Sequence, residues 1–370
     1  TNTNSEIYLY DITRNKTENI SRAGFDGYDH NPVFSPDGTK IAWRSMETPG
    51  FESDKKRLIV YSFQDGATID MTVGFDQDAD NFLWSPEGDR IFFTSGINAT
   101  YQIFQINVNN LEITQITEGH HDYTGIALAG DRLLGSKMTH SMPVELFLVS
   151  MDGTEQQLTK TNAHILDNLK LARSEERWIE TTDGEKMLTW VIYPPYFDSL
   201  KSYPAILYCQ GGPQSAVSHF FSFRWNFQMM AANGYVVVAP NRRGVPTFGQ
   251  EWNDQISGDY GGQNMLDYLA AIDTVAKERF VDHTRLGAVG ASYGGFSVYW
   301  LAGNHDNRFK AFISHCGMFN LESMYGATEE YFFVNHDLKG PYWDPLAAQS
   351  YRASPHRFVQ NWNTPILIIH

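Results

Sequence analysis

Two cysteines in 370 residues are too few for a disulfide framework or a thiolate metal centre. Cys209 and Cys316 fall in apolar, strand-like runs and read as buried thiols. No apolar run approaches the roughly 20 residues of a membrane span. Cations are short as well. The 28 Lys and Arg face 43 Asp and Glu, and the net charge of −15 would repel a nucleic acid rather than steer it in. No metal ligand set and no cofactor are called for. A signal peptide is also missing, but Thr1-Asn2-Thr3-Asn4 leads at once into a strand-like run. The segment reads as the middle of a longer chain, so this absence says nothing of the compartment.

What is present describes an ordinary globular composition, 42% hydrophobic and 19% charged, long enough for two or three domains. Residues 1–170 carry a net −11 and residues 171–370 a net −4. The acidic first half suits solubility, and would also suit a cationic or amino-terminated ligand.

The first half repeats itself. Asn31-Pro32-Val33-Phe34-Ser35-Pro36-Asp37-Gly38 returns fifty residues later as Asn81-Phe82-Leu83-Trp84-Ser85-Pro86-Glu87-Gly88. Each copy runs on into an apolar stretch, and the Pro-Asp-Gly or Pro-Glu-Gly between them is a tight-turn signal. Ala129-Gly130-Asp131-Arg132 is a decayed third copy. A period of 43–51 residues built of short strands predicts propeller blades, about three and part of a fourth, over residues 1–170.

The second half, residues 171–370, changes texture. A hairpin is predicted over 177–193. Strands follow at 205–209, 235–239, 286–290, 312–316 and 366–369, with a helix over 262–279. Short apolar strands alternating with helices predict a mostly parallel sheet covered on both faces.

Gly290-Ala291-Ser292-Tyr293-Gly294-Gly295 sits between one such strand and a helix-like run. Gly-x-Ser-x-Gly in that context is a nucleophile elbow: small residues permit a sharp turn that lifts the serine hydroxyl off the sheet. Gln210-Gly211-Gly212-Pro213 closes an earlier strand, and its glycines let backbone N–H groups approach a substrate oxygen. The amides of Gly212 and Tyr293 are the expected oxyanion donors. Asn241-Arg242-Arg243-Gly244, followed by Phe248-Gly249, closes the next strand; Arg243 could clamp a peptide carbonyl or brace its own loop.

Elbow, Gly-Gly-Pro loop, Arg-Gly loop, Asp259-Tyr260-Gly261-Gly262 and the closing Asn363-Thr364-Pro365-Ile366-Leu367-Ile368-Ile369-His370 together resemble the prolyl oligopeptidase family of serine peptidases. Within it the chain looks like the dipeptidyl-peptidase 5 and acylaminoacyl-peptidase branch. The resemblance implies a partial β-propeller followed by an α/β-hydrolase domain, short peptides as substrate, and acyl transfer through Ser292 with release of N-terminal dipeptides. Relatives of the dipeptidyl-peptidase 4 type carry a tyrosine where Gln210 stands, which leaves the first oxyanion contact to the Gly212 amide.

The resemblance further places an apolar P1 pocket along 318–325, with Phe319, Met324 and Tyr325, and Arg243 nearby. Glu329 and Glu330 are candidates for a substrate ammonium, or simply a solvated face. Family order puts the triad aspartate and histidine after the last strand. His305, His315, His336 and His356 all precede that place, and His315 reads as a core histidine. The chain is therefore expected to be a fragment that holds the nucleophile without its base. Periplasmic or secreted location follows by the same analogy, and homodimer formation stays open. The rivals are an acylaminoacyl-peptidase or oligopeptidase of the same family, a carboxylesterase, and a catalytically dead binding protein.

Overall fold

The structure is a computed structural model and describes residues 4–370. The chain forms two units. The first takes in the chain up to Met138, with Val144–Lys160 and Thr247–Gln250; the second takes Thr139–Pro143, Thr161–Pro246 and Glu251–His370. The division near residue 160 precedes the expected boundary at 170, and two short segments change sides.

The described residues of the first unit up to 160 form strands joined by turns. β1 (Tyr8–Asp11) and β2 (Lys16–Asn19) form a hairpin. Three runs of four strands follow, each pairing neighbour to neighbour. They are β3 (Asp29–Phe34), β4 (Lys40–Ser45), β5 (Arg57–Ser62) and β6 (Thr68–Asp70); then β7 (Asp80–Trp84), β8 (Arg90–Ile97), β9 (Thr100–Asn107) and β10 (Ile113–Gln115); then β11 (Asp122–Ala129), β12 (Arg132–Thr139), β13 (Met142–Val149) and β14 (Glu155–Gln157). The last two runs join into one eight-stranded sheet through a single parallel pairing, Asp122 with Tyr101.

The sequence repeat is a repeat of backbone. In both copies the asparagine adopts positive φ, +57° at Asn31 and +48° at Asn81, and the strand register slips at that point. Asparagine tolerates the left-handed region better than other side chains, which is why it opens each copy. The turn is reproduced too. Ser35 Oγ accepts from Lys40 N at 3.0 Å and Ser85 Oγ from Arg90 N at 3.1 Å. Gly38 and Gly88 take φ of +71° and +70°, as the tight turn requires.

The second unit is built on one seven-stranded sheet. Its strands are β15 (Ser174–Glu180), β16 (Lys186–Ile192), β17 (Tyr203–Cys209), β18 (Val236–Pro240), β19 (Val281–Ala291), β20 (Phe309–His315) and β21 (Ile366–Ile369), in the order β15-β16-β18-β17-β19-β20-β21. The β15–β16 and β16–β18 pairs are antiparallel, and every later pair is parallel. β18 (Val-Val-Val-Ala-Pro) is buried throughout, as an uninterrupted apolar run in a covered sheet should be.

Helices Gln263–Val275 and Tyr293–Asn304 bury Met265, Leu269, Ile272, Phe296, Val298 and Leu301 in the same core as Leu207, Val238 and Ala288. From β17 the chain steps to β18 on one side, then crosses to β19 on the other. The strand order therefore reverses between β17 and β19. In open α/β sheets the crevice beyond the carboxyl ends of two such strands is where ligands bind.

Candidate active site

Ser292 stands at the carboxyl end of β19 with φ +57° and ψ −121°, and the helix Tyr293–Asn304 begins directly after it. A non-glycine residue there costs about 1–3 kcal/mol of backbone strain. The surroundings hold it in place: Ser292 N donates to His315 O at 2.9 Å, and Phe296 N to Ser292 O at 2.9 Å. The serine is exposed, at the positive end of a twelve-residue helix. Among the described residues its hydroxyl makes no hydrogen bond to a histidine or a carboxylate.

The glycines around it are there for closeness. A Cβ on Gly294 would lie 2.1 Å from Cys209 O, and one on Gly290 2.4 Å from Gly294 O. A Cβ on Gly295 would lie 2.7 Å from Gly317 Cα. Elbow, β17 end and β20 end therefore meet backbone to backbone. The Gly-Gly-Pro loop comes equally near, since a Cβ on Gly211 would sit 3.7 Å from Ser292 Cβ. Gly212 is exposed with φ +115°.

Tyr293 is fully buried and fixed at its far end. Its hydroxyl donates to Asn264 Oδ1 at 2.7 Å and lies 3.0 Å from Tyr260 O. Burial pushes its phenol far above the usual range, with Arg242 opposing, so the ring is neutral at working pH.

The two arginines of the Asn-Arg-Arg-Gly loop do different things. Arg243 is 5% exposed and is taken up by Asp183, by Thr181 Oγ1 at 3.0 Å, and by Asp267 at 3.4 Å. Of its two expected roles, these contacts fit the bracing of its own loop.

Arg242, given no role from the sequence, is fully buried. It donates to Pro213 O at 2.9 Å and Arg243 O at 2.7 Å, and its guanidinium lies 4.8 Å from the Tyr293 ring centroid. It thus touches both the Gly-Gly-Pro loop and the residue after the serine.

Arg243 holds the Asp183 carboxyl well below the usual carboxylate range. A depressed carboxylate stabilises the fold above its unfolded value of 3.8, and that contribution fades as pH falls through the folded value. The Asp183→Asn variant should therefore melt lower than the parent at pH 7, with the gap closing below about pH 4. Melting curves at pH 7, 4 and 2.5 check this; a gap independent of pH contradicts it.

The expected pocket residues separate. Asn320 caps the helix Leu321–Ala327 through Glu322 N and Ser323 N, at 2.9 and 3.1 Å. Phe319, 41% exposed, packs with Tyr299 and Trp362. Met324 is half-buried against the core. Tyr325 is buried at the centre of Tyr331, Tyr342, Trp343 and Tyr351, with ring centroids 5.4–6.4 Å away. Glu329 and Glu330 are exposed in the segment before the helix Tyr331–Asp337.

Two readings need correction. Cys316 is exposed rather than buried, because it leaves β20 at φ +48°; Cys209 is buried as expected. His315 is half-buried at the end of β20, edge-on to Trp225, rather than in the core.

Residues 221–370 match the model of the prolyl oligopeptidase family. The chain is 53% identical to dipeptidyl-peptidase 5 of Porphyromonas gingivalis over 372 residues, covering all of this chain and 54% of the relative. With dipeptidyl-peptidase 5 of Porphyromonas endodontalis it is 48% identical, over the same shares. Among solved structures, Pyrococcus horikoshii acylaminoacyl peptidase matches with a TM-score of 0.85 at 25% identity, over 99% of this chain and 56% of that one. The chain thus spans about half the length of the curated relatives it matches. No helix among the described residues is long and apolar enough to cross a membrane.

Proposed function

We propose that this chain is part of a serine exopeptidase that hydrolyses short peptides and releases N-terminal dipeptides. On this reading the first unit is part of a β-propeller, and the second belongs to an α/β-hydrolase domain. The observation that carries it is Ser292, exposed and held at positive φ beside Gly211 at the reversal of strand order. The identity to two dipeptidyl-peptidases 5 supports the substrate class.

Ser292 Oγ attacks the scissile carbonyl, giving up its proton to a general base. The amides of Gly212 and Tyr293 hold the oxyanion, each such donor being worth about 3–4 kcal/mol in the transition state. Collapse breaks the C–N bond, the proton passes to the leaving amine, and water then hydrolyses the acyl-enzyme. The relatives have about as much chain again, and this reading assigns the base and its carboxylate to that remainder. The resemblance implies an apolar P1 residue at the segment 318–325, where Tyr325 lies among the exposed rings of Tyr331, Tyr342 and Trp343.

Full-length protein should cleave an unblocked dipeptidyl-nitroanilide with an apolar P1, and leave its N-acylated counterpart largely uncut. Preference for the acylated substrate would favour the acylaminoacyl-peptidase alternative. Turnover of p-nitrophenyl acetate alone would sink the peptidase reading.

A further inference from the structure

We infer that Asp337 is a positioning residue for both oxyanion donors. It closes the helix Tyr331–Asp337 and is 0% exposed. No lysine or arginine pairs with it among the described residues; the ring of His336 lies beside it, with Nδ1 3.4 Å from Oδ1. Its carboxylate is met by neutral donors instead. Gln214 Nε2 reaches its two oxygens at 3.1 and 3.0 Å, Ser257 Oγ donates at 2.9 Å and Tyr260 OH at 2.6 Å. The backbone joins in, with Gly258 N donating to Asp337 O at 2.6 Å.

A carboxylate stripped of water and given no full cation is an expensive way to fill a core, so its partners show what it is for. They lead to the Gly-Gly-Pro loop and to Tyr293. Gln214 lies two residues beyond Gly212 on the Gly-Gly-Pro loop, and the turn there is tight: a Cβ on Gly212 would meet Gln214 N at 2.6 Å. Holding the Gln214 side chain anchors this loop two residues after Gly212.

Tyr260 leads the other way. Its ring stands edge-on to Tyr293 at 4.9 Å, and its carbonyl lies 3.0 Å from the Tyr293 hydroxyl. One buried carboxylate therefore braces the loop bearing the Gly212 amide and the side chain that orients the Tyr293 amide. Preorganisation of such donors is what makes them effective, and a displacement near 1 Å can cost about 100-fold.

The inference rests on the peptidase reading and is tested on full-length protein. Asp337→Asn keeps the shape but turns one acceptor oxygen into a donor facing Gln214, Ser257 and Tyr260. It should lower kcat for a dipeptidyl-nitroanilide by about 10–100-fold with KM within about twofold. Inactivation by a fluorophosphonate, whose phosphoryl oxygen needs the same donors, should slow by a similar factor. A purely structural carboxylate would lower the melting temperature and leave kcat per folded molecule unchanged.

If Asp337→Asn does not fold, Gln214→Met carries the test. It severs the loop arm alone and leaves Asp337 its two hydroxyl donors, with about a tenfold fall in kcat expected. A folded variant that matches an active wild type in both readouts overturns the inference alone. A wild type inert to substrate and fluorophosphonate overturns the peptidase reading, and the inference with it.

Discussion

Ser292→Ala in the full-length protein is expected to abolish dipeptidyl-nitroanilide hydrolysis, a fall on the order of 10⁴–10⁶-fold in kcat, with substrate affinity kept. The melting temperature should not move. Ser292 is exposed, its hydroxyl makes no hydrogen bond to another described residue, and alanine bears the positive φ no worse than serine. Steady-state kinetics beside a melting curve separate the two effects. Residual kcat within about 100-fold of the parent would mean that another group does the chemistry.

Gly294→Ala should do nearly as much damage by a different route. The new Cβ would fall 2.1 Å from Cys209 O, 2.9 Å from Cys209 C and 3.2 Å from Gln210 C. These are backbone atoms of β17 and its loop, with no flexible side chain to swing aside. The elbow and the Gly-Gly-Pro loop must part, which should cost about 1–3 kcal/mol in denaturant unfolding. Because the gap opens between the serine and the loop bearing the Gly212 amide, kcat should fall by about 100-fold or more as well. Gly326→Ala is the control, since a Cβ there meets nothing within 4 Å and alanine suits the last turn of the helix Leu321–Ala327. It should leave stability unchanged or slightly raised. Equal unfolding curves for the two variants would refute the steric argument.

The elbow was legible because its signals are local. Small residues at fixed offsets around Ser292, between an apolar run and a helical one, admit few other backbones. The propeller-like repeat was legible for the same reason: Ser-Pro-Asp-Gly and Ser-Pro-Glu-Gly each encode a turn, and fifty residues separate the two copies. Asn31 and Asn81 recur at the same place in each copy, yet the register slip they allow shows only in the strand pairing.

Arg242 and Asp337 were not legible, and the reason is physical. Burial of a charge leaves no periodicity in sequence, so adjacent Arg242 and Arg243 look equivalent until the fold shows which guanidinium faces Pro213 and Tyr293. Asp337 follows His336 in a short polar stretch, and its partners lie 77–123 residues away. Cys316 misled because it directly follows the strand-like run Phe312-Ile313-Ser314-His315. The chain turns at Cys316 itself, with φ +48°, and carries the thiol out to solvent.

The central claim is that Ser292 is a working nucleophile. Treating the full-length protein with a fluorophosphonate and mapping the adduct by peptide mass spectrometry tests it most directly. One adduct is expected, on Ser292, with stoichiometric loss of dipeptidyl-nitroanilide hydrolysis. No adduct, or an adduct on another residue that accounts for the lost activity, would contradict it.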